Sequence, residues 1–220
     1  MRPQTIALVW LSLGLALGTV LGVTFSATAR RVVQIVKAEF AAPDRRALLK
    51  RSPPPGSIAI IGDSHIEAGP WERLIGPDFS NYGIGGDTTI GVINRLDEIG
   101  GKRAVLLIGV NDILRGELAP EVATNIAIIV ERLQRPVLLI SLIPVKGTLA
   151  KHNSTLKQLN ALIRMNCNPQ NCAFLDIWPA MEVNGTLNPE FAEDDVHLNI
   201  EGYRIVAKLI TAAFGDGTAR

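Results

Sequence analysis

The chain has 220 residues, a formal net charge of +1 and 47% apolar residues. The charges balance and no dense basic stripe appears, which argues against nucleic acid as a partner. The apolar fraction is ample for a buried core, and an isolated pair of cysteines is too few for a structural zinc site.

Ile6–Phe25 carries no charge. At about 1.5 Å rise per residue, such a run reaches roughly 30 Å, enough to cross a bilayer. Two interpretations compete. Arg2 as a basic start and Ala27-Thr28-Ala29 as a small-residue cleavage site suit a signal peptide. An apolar run longer than the usual ~7–15 residues of a signal core suits an uncleaved anchor. Gly14, Gly18 and Gly22 fit a membrane helix better than a buried globular one, which ranks last. Residues 1–29 are therefore expected to be a signal peptide or anchor, with 6–25 contacting membrane if uncleaved. Arg30, Arg31, Lys37, Arg45, Arg46, Lys50 and Arg51 slightly favour a cytoplasmic domain by the positive-inside rule. The cleavage-like site points the other way, and an exported or membrane-anchored protein with an extracytoplasmic domain is the expectation.

Residues 30–56 read as a basic helix ending in a stiff linker, because Pro53-Pro54-Pro55 breaks helices. The folded domain is expected over 57–214, with 215–220 as a tail. Strands are predicted at 58–62, 78–82, 104–109, 136–142 and 173–176, and helices at 64–75, 88–99, 120–134, 151–166 and 200–213. Ala104–Ile108 and Pro136–Ile140 are continuous apolar or proline-led runs, as in strands covered on both faces. Strand–helix alternation predicts a three-layer α/β/α domain with a five-stranded parallel sheet. Cys167 and Cys172 can close a small disulfide loop in an exported protein, and would be ordinary thiols in a cytosolic one.

Gly62-Asp63-Ser64 ends the first strand, at the sheet edge where open α/β proteins hold their chemistry. A serine there, at a helix start, is a candidate nucleophile. Asp and Ser also cap helices for structural reasons, and on the tripeptide alone the cap is the weightier explanation. Asn81–Thr89 follows the second strand, with glycines that allow close backbone approach. It is either a tight turn or a functional loop, and it lacks the G-x-G-x-x-G spacing of a dinucleotide site. Asn111-Asp112 follows the third strand, where an Asn amide can serve an oxyanion or simply make a turn. Asp194 lies three residues before His197, close enough to orient the ring through Nδ1 and leave Nε2 as a base; a solvated surface histidine is the alternative. His65 adjoins Ser64 but points about 100° away on a helix. G-x-S-x-G is absent, since position 66 is Ile66.

Together, and in this order, the four blocks resemble the SGNH (GDSL-type) hydrolase superfamily over about 57–214. Asn81–Thr89 with Gly109–Asp112 is most similar to platelet-activating-factor acetylhydrolase catalytic subunits and bacterial thioesterase I/lysophospholipase enzymes. The resemblance implies a flavodoxin-like fold and a serine esterase or lipase acting on a small-molecule ester or thioester without metal or cofactor. It implies Ser64 as nucleophile, His197 as base and Asp194 as its orienting acid. The oxyanion hole would comprise the Ser64 N–H, the Gly86 N–H and the Asn111 amide. The usual Leu after the serine is His65 here, a change expected to touch the pocket rather than catalysis. The alternatives are acyl transfer on the same site, or a membrane-tethered module that binds without reacting.

Overall fold

The structure, a computed structural model, describes residues 43–51 and 56–215. The apolar run 6–25, the cleavage-like 27–29, the prolines at 53–55 and the tail from 216 lie outside the described residues. Among the described residues no helix is long and apolar enough to cross a membrane.

A first helix, α1 (Pro43–Arg51), precedes the strand–helix alternation. The chain then runs β1 (Ile58–Gly62), α2 (Ser64–Glu67), α3 (Trp71–Ile75), β2 (Phe79–Gly83) and α4 (Thr89–Ile93). Next come β3 (Arg103–Leu107), α5 (Val110–Leu114), α6 (Ala119–Leu133), β4 (Val137–Ile140) and α7 (Asn153–Asn166). The last elements are β5 (Cys172–Leu175), α8 (Trp178–Met181), the hairpin β6 (Glu182–Val183) and β7 (Thr186–Leu187), and α9 (Ile200–Gly215).

The expected three-layer domain is present. Five parallel strands lie in the order β2-β1-β3-β4-β5, the doubly wound order of flavodoxin-like folds. β1 and β4 are buried at every residue and β3 at all but Arg103, which accounts for their unbroken apolar sequences. β2 and β5 form the edges and are only partly covered. Helix α6 packs between α4 and α7, and α9 packs with α3, so helices cover the sheet as right-handed crossovers require.

Register decides what the sheet can present. Gly62 at the end of β1 pairs with Gly83 of β2 and Leu107 of β3. Three strand ends are therefore level, and the loops leaving them open at one edge.

The helix expected over 64–75 is two short helices, because Gly69-Pro70 interrupts it. Proline cannot donate within a helix and disfavours a helical residue before it. The expected 88–99 and 151–166 helices divide similarly into α4 plus a 3₁₀ turn at Leu96–Glu98, and a 3₁₀ segment at Gly147–His152 followed by α7. Cys167 and Cys172 are joined in a disulfide. α1 packs on the domain: Leu49 is part of the apolar core, and Arg46 pairs with Glu98. Arg45 donates to the carbonyls of Asn81 and Gly83 on β2, at 3.2 and 3.3 Å.

Candidate active site

Ser64 is the first residue of α2, and the helix cap belongs to its neighbour. The Asp63 carboxylate accepts the His65 N–H at 3.0 Å, and the Asp63 carbonyl accepts the N–H groups of Ile66 and Glu67. With the cap supplied, the Ser64 hydroxyl is free to face another part of the chain. It lies 2.9 Å from Nε2 of His197.

His197 sits in the turn before α9. Its Nδ1 is 2.7 Å from Oδ2 of Asp194, while Oδ1 of Asp194 accepts the N–H groups of Val196 and His197, both at 2.7 Å. The carboxylate thus folds back over its own turn, as the spacing of three residues predicts. A carboxylate can only accept, so Nδ1 carries a proton, and Nε2 turns its lone pair to the serine. Partial burial favours the neutral carboxyl of Asp194. The backbone N–H groups of His197 and Val196, with the His197 ring, outweigh it and hold the carboxyl well below the usual carboxylate range.

The glycine loop after β2 approaches α2 closely. A Cβ on Gly83 would lie 2.1 Å from the Glu67 nitrogen, so no side chain fits there. Gly86 has φ +73°, a conformation favouring glycine. The Gly85 N–H donates to the Glu67 carboxylate, and Glu67 also pairs with Arg45 at 3.7 Å. Arg115 donates to the Gly86 carbonyl at 2.7 Å, and Asn111 Nδ2 donates to the Asp87 carbonyl at 2.9 Å. Asp87 itself is buried against Arg95 at 2.9 Å, and Arg95 reaches the Gly62 carbonyl. Both carbonyls are thereby drawn towards the loop after β3. The Gly86 and Ser64 N–H groups take no partner among the described residues, and the second amide hydrogen of Asn111 is also available.

The carboxylate of Asp112, next to Asn111, accepts the Thr89 N–H and hydroxyl. Burial pushes its carboxyl up to about 7, against the pull of those two donors.

The structure thus joins Ser64, His197 and Asp194 in one hydrogen-bonded series and ties Asn111 to the loop of Gly86. Sequence reasoning missed the supporting residues Arg95, Arg115 and Glu67. Arg95 had a visible signal, since it is the first charge after the apolar segment Ile90–Ile93. His65 was expected at the pocket. It is instead buried, with Nδ1 3.3 Å from Asp63 Oδ1 and Nε2 2.8 Å from the Val196 carbonyl oxygen. Among the described residues no cluster of three or more His, Cys, Asp or Glu is placed to hold a metal ion.

Solved structures share this architecture. A candidate platelet activating factor from Streptococcus pneumonia is 25% identical with a TM-score of 0.70, over 86% of this chain and 99% of that one. A candidate acylhydrolase from Bacteroides fragilis is 22% identical with a TM-score of 0.65, over 81% and 98%. An acetylxylan esterase from Geobacillus stearothermophilus is 21% identical with a TM-score of 0.61, over 76% and 99%. No curated protein sequence matches the chain. Residues 60–205 match the profile of the GDSL-like Lipase/Acylhydrolase family, a span that holds Ser64, Gly86, Asn111, Asp194 and His197. The chain belongs to the GDSL-like lipase/acylhydrolase family and is a carboxylic ester hydrolase.

Proposed function

We propose that this protein is a serine esterase that cleaves a carboxylic ester or thioester through an acyl-enzyme on Ser64. The observation that carries the proposal is the series Ser64 Oγ–His197 Nε2 at 2.9 Å and His197 Nδ1–Asp194 Oδ2 at 2.7 Å. Ser64 Oγ attacks the acyl carbon as its proton passes to His197 Nε2, and the carbonyl electron pair moves onto oxygen. The Ser64 and Gly86 N–H groups and the Asn111 amide meet that charge. One such donor is worth about 3–4 kcal/mol in the transition state. Collapse expels the alcohol or thiol, which takes the proton from His197, and water repeats the sequence to release the acid. Asp194 stabilises the ring while it carries both protons.

The site is open: the His197 side chain is 39% exposed and that of Asp194 56%. This supports substrates with short or accessible acyl groups, such as O-acetyl sugars or lysophospholipids. The acetylxylan ester named for one structural neighbour is in that class. Acyl transfer to an alcohol is the same chemistry with a different acceptor. The Cys167–Cys172 disulfide supports an exported or membrane-anchored protein with its catalytic domain outside the cytoplasm, since such bonds persist in oxidising compartments. Protease added to intact cells would then degrade the domain; survival until lysis would place it inside.

The test of the chemistry is hydrolysis of a p-nitrophenyl acyl series beside fluorophosphonate labelling. Ser64→Ala is expected to lose about 10³-fold or more in turnover and all labelling. Undiminished turnover in that variant would remove Ser64 from the mechanism. A folded wild-type protein that neither turns over esters nor takes the probe would be a binding module.

A further inference from the structure

The Val196–His197 peptide unit is gripped at both of its polar ends. Its N–H, that of His197, donates to Asp194 Oδ1 at 2.7 Å. Its carbonyl, that of Val196, faces Nε2 of His65 at 2.8 Å, and no other donor reaches it among the described residues. A carbonyl accepts only, so Nε2 of His65 carries a proton. The other side of the same ring meets Asp63 Oδ1 at 3.3 Å, and the His65 N–H donates to that oxygen at 3.0 Å. Asp63 and His65 flank Ser64 in sequence. One imidazole therefore bonds the turn that carries the serine hydroxyl to the peptide that carries the His197 ring.

We propose that His65 is a positioning residue that fixes the separation between Ser64 and His197 by anchoring the Val196 carbonyl to the Asp63–His65 turn. The inference rests on the acyl-enzyme proposal above. His65 is 2% exposed and stands with its ring centroid 5.7 Å from that of His197. It touches no substrate and acts through the loop it holds. Burial disfavours the charged ring, but Asp63, the Val196 carbonyl and Asp194 outweigh it and raise the ring's pKa above its ordinary value. A leucine at this position could fill the space but would leave the Val196 carbonyl without its donor. The loop before α9 would keep its bonds to Asp194 and that from the Glu193 N–H to the His197 carbonyl at 2.8 Å, but would lose its tie to the Asp63–His65 turn. A displacement of even 1 Å between reacting groups is enough to cost turnover.

The side chains of Gln and Asn separate the two contacts. Gln places its amide nitrogen near the position of Nε2 and can still donate to Val196. Asn reaches only as far as Nδ1 and can meet Asp63 alone. The experiment compares the full-length chain with Ser64→Ala, His65→Leu, His65→Gln and His65→Asn in detergent, by kcat and KM on p-nitrophenyl butyrate and by fluorophosphonate labelling rate. His65→Leu and His65→Asn are expected to lose about tenfold in kcat and in labelling rate at unchanged KM, the effect of one hydrogen bond's worth of positioning. His65→Gln is expected to stay within about threefold of wild type. Equal rates for the Gln and Asn variants, or wild-type kcat in the Leu variant, would overturn the role of His65 while an inactive Ser64→Ala leaves the acyl-enzyme proposal standing. The Gln–Asn difference decides the matter by itself where leucine prevents folding. Wild-type turnover in Ser64→Ala would instead take down the acyl-enzyme proposal, and this inference with it.

Discussion

Removing the charge of Asp194 in two ways distinguishes an orienting carboxylate from a mere loop anchor. Asp194 makes three hydrogen bonds, two from backbone N–H groups to Oδ1 and one from the His197 ring to Oδ2. Asp194→Ala deletes all three. A charge-assisted bond is worth about 1.5–3 kcal/mol, and 56% exposure argues for the lower part of that range. About 2 kcal/mol corresponds to about 30-fold in kcat. Asp194→Asn behaves differently. Its carbonyl oxygen stays with the two N–H donors, because turning the amide over would forfeit both bonds, about 1–3 kcal/mol together. The amide NH₂ then faces Nδ1 of His197 and stabilises the ring with its proton on Nε2. A protonated Nε2 cannot receive the serine proton. The Asn variant should therefore lose at least about tenfold more in kcat than the Ala variant, some 300-fold or more from wild type. The assay is kcat on p-nitrophenyl butyrate, with circular dichroism melting to show that both variants fold. An Asn variant as fast as the Ala variant, or faster, would refute the assignment of the ring's tautomer.

Two further predictions concern the frame of the site. The Asp112 carboxyl is raised from 3.8 to about 7, so its contribution to stability is full below pH 3.8 and disappears as pH rises through about 7. The stability of Asp112→Asn relative to wild type should therefore rise between pH 5 and pH 8, by up to about 1.4 kcal/mol per pH unit below the raised value; a pH-independent difference in denaturant midpoint would show that Asp112 is ionised throughout. Arg95→Leu would leave Asp87 buried without its partner and should destabilise the fold by about 3–5 kcal/mol. Denaturant unfolding measures this, and a loss under about 1 kcal/mol would mean that Asp87 finds another donor.

The sheet was legible because burial on both faces writes itself into β1, β3 and β4 as unbroken apolar runs. The positions of Ser64, Gly86, Asn111, Asp194 and His197 were legible because each follows a strand or precedes the last helix. What the sequence left open at Ser64 was whether it caps a helix, and that depended on which of two adjacent residues takes the free N–H groups of the first turn. Only the folded turn shows that Asp63 does. The interruption at Gly69-Pro70 was visible in the sequence, but the apolar spacing on either side suggested one helix. The hairpin Glu182–Leu187 has two-residue strands, too short for any periodicity to register. The partners of His65 were not legible, because a neighbour's direction on a helix says nothing of the loop, more than 130 residues away in sequence, that comes to meet it.

The contact between α1 and β2 bears on how the protein avoids unwanted assembly. β2 is an outer strand of the sheet, and outer strands offer unpaired backbone groups on which a second chain can add a strand. Arg45 occupies two of its carbonyls, those of Asn81 and Gly83, and Leu49 seals apolar surface beside them. A soluble fragment cut at the proline run would discard that cover along with the helix. It would keep every residue of the hydrogen-bonded series at Ser64 while baring a strand open to pairing, so a chain shortened for convenience would lose solubility along with its guard.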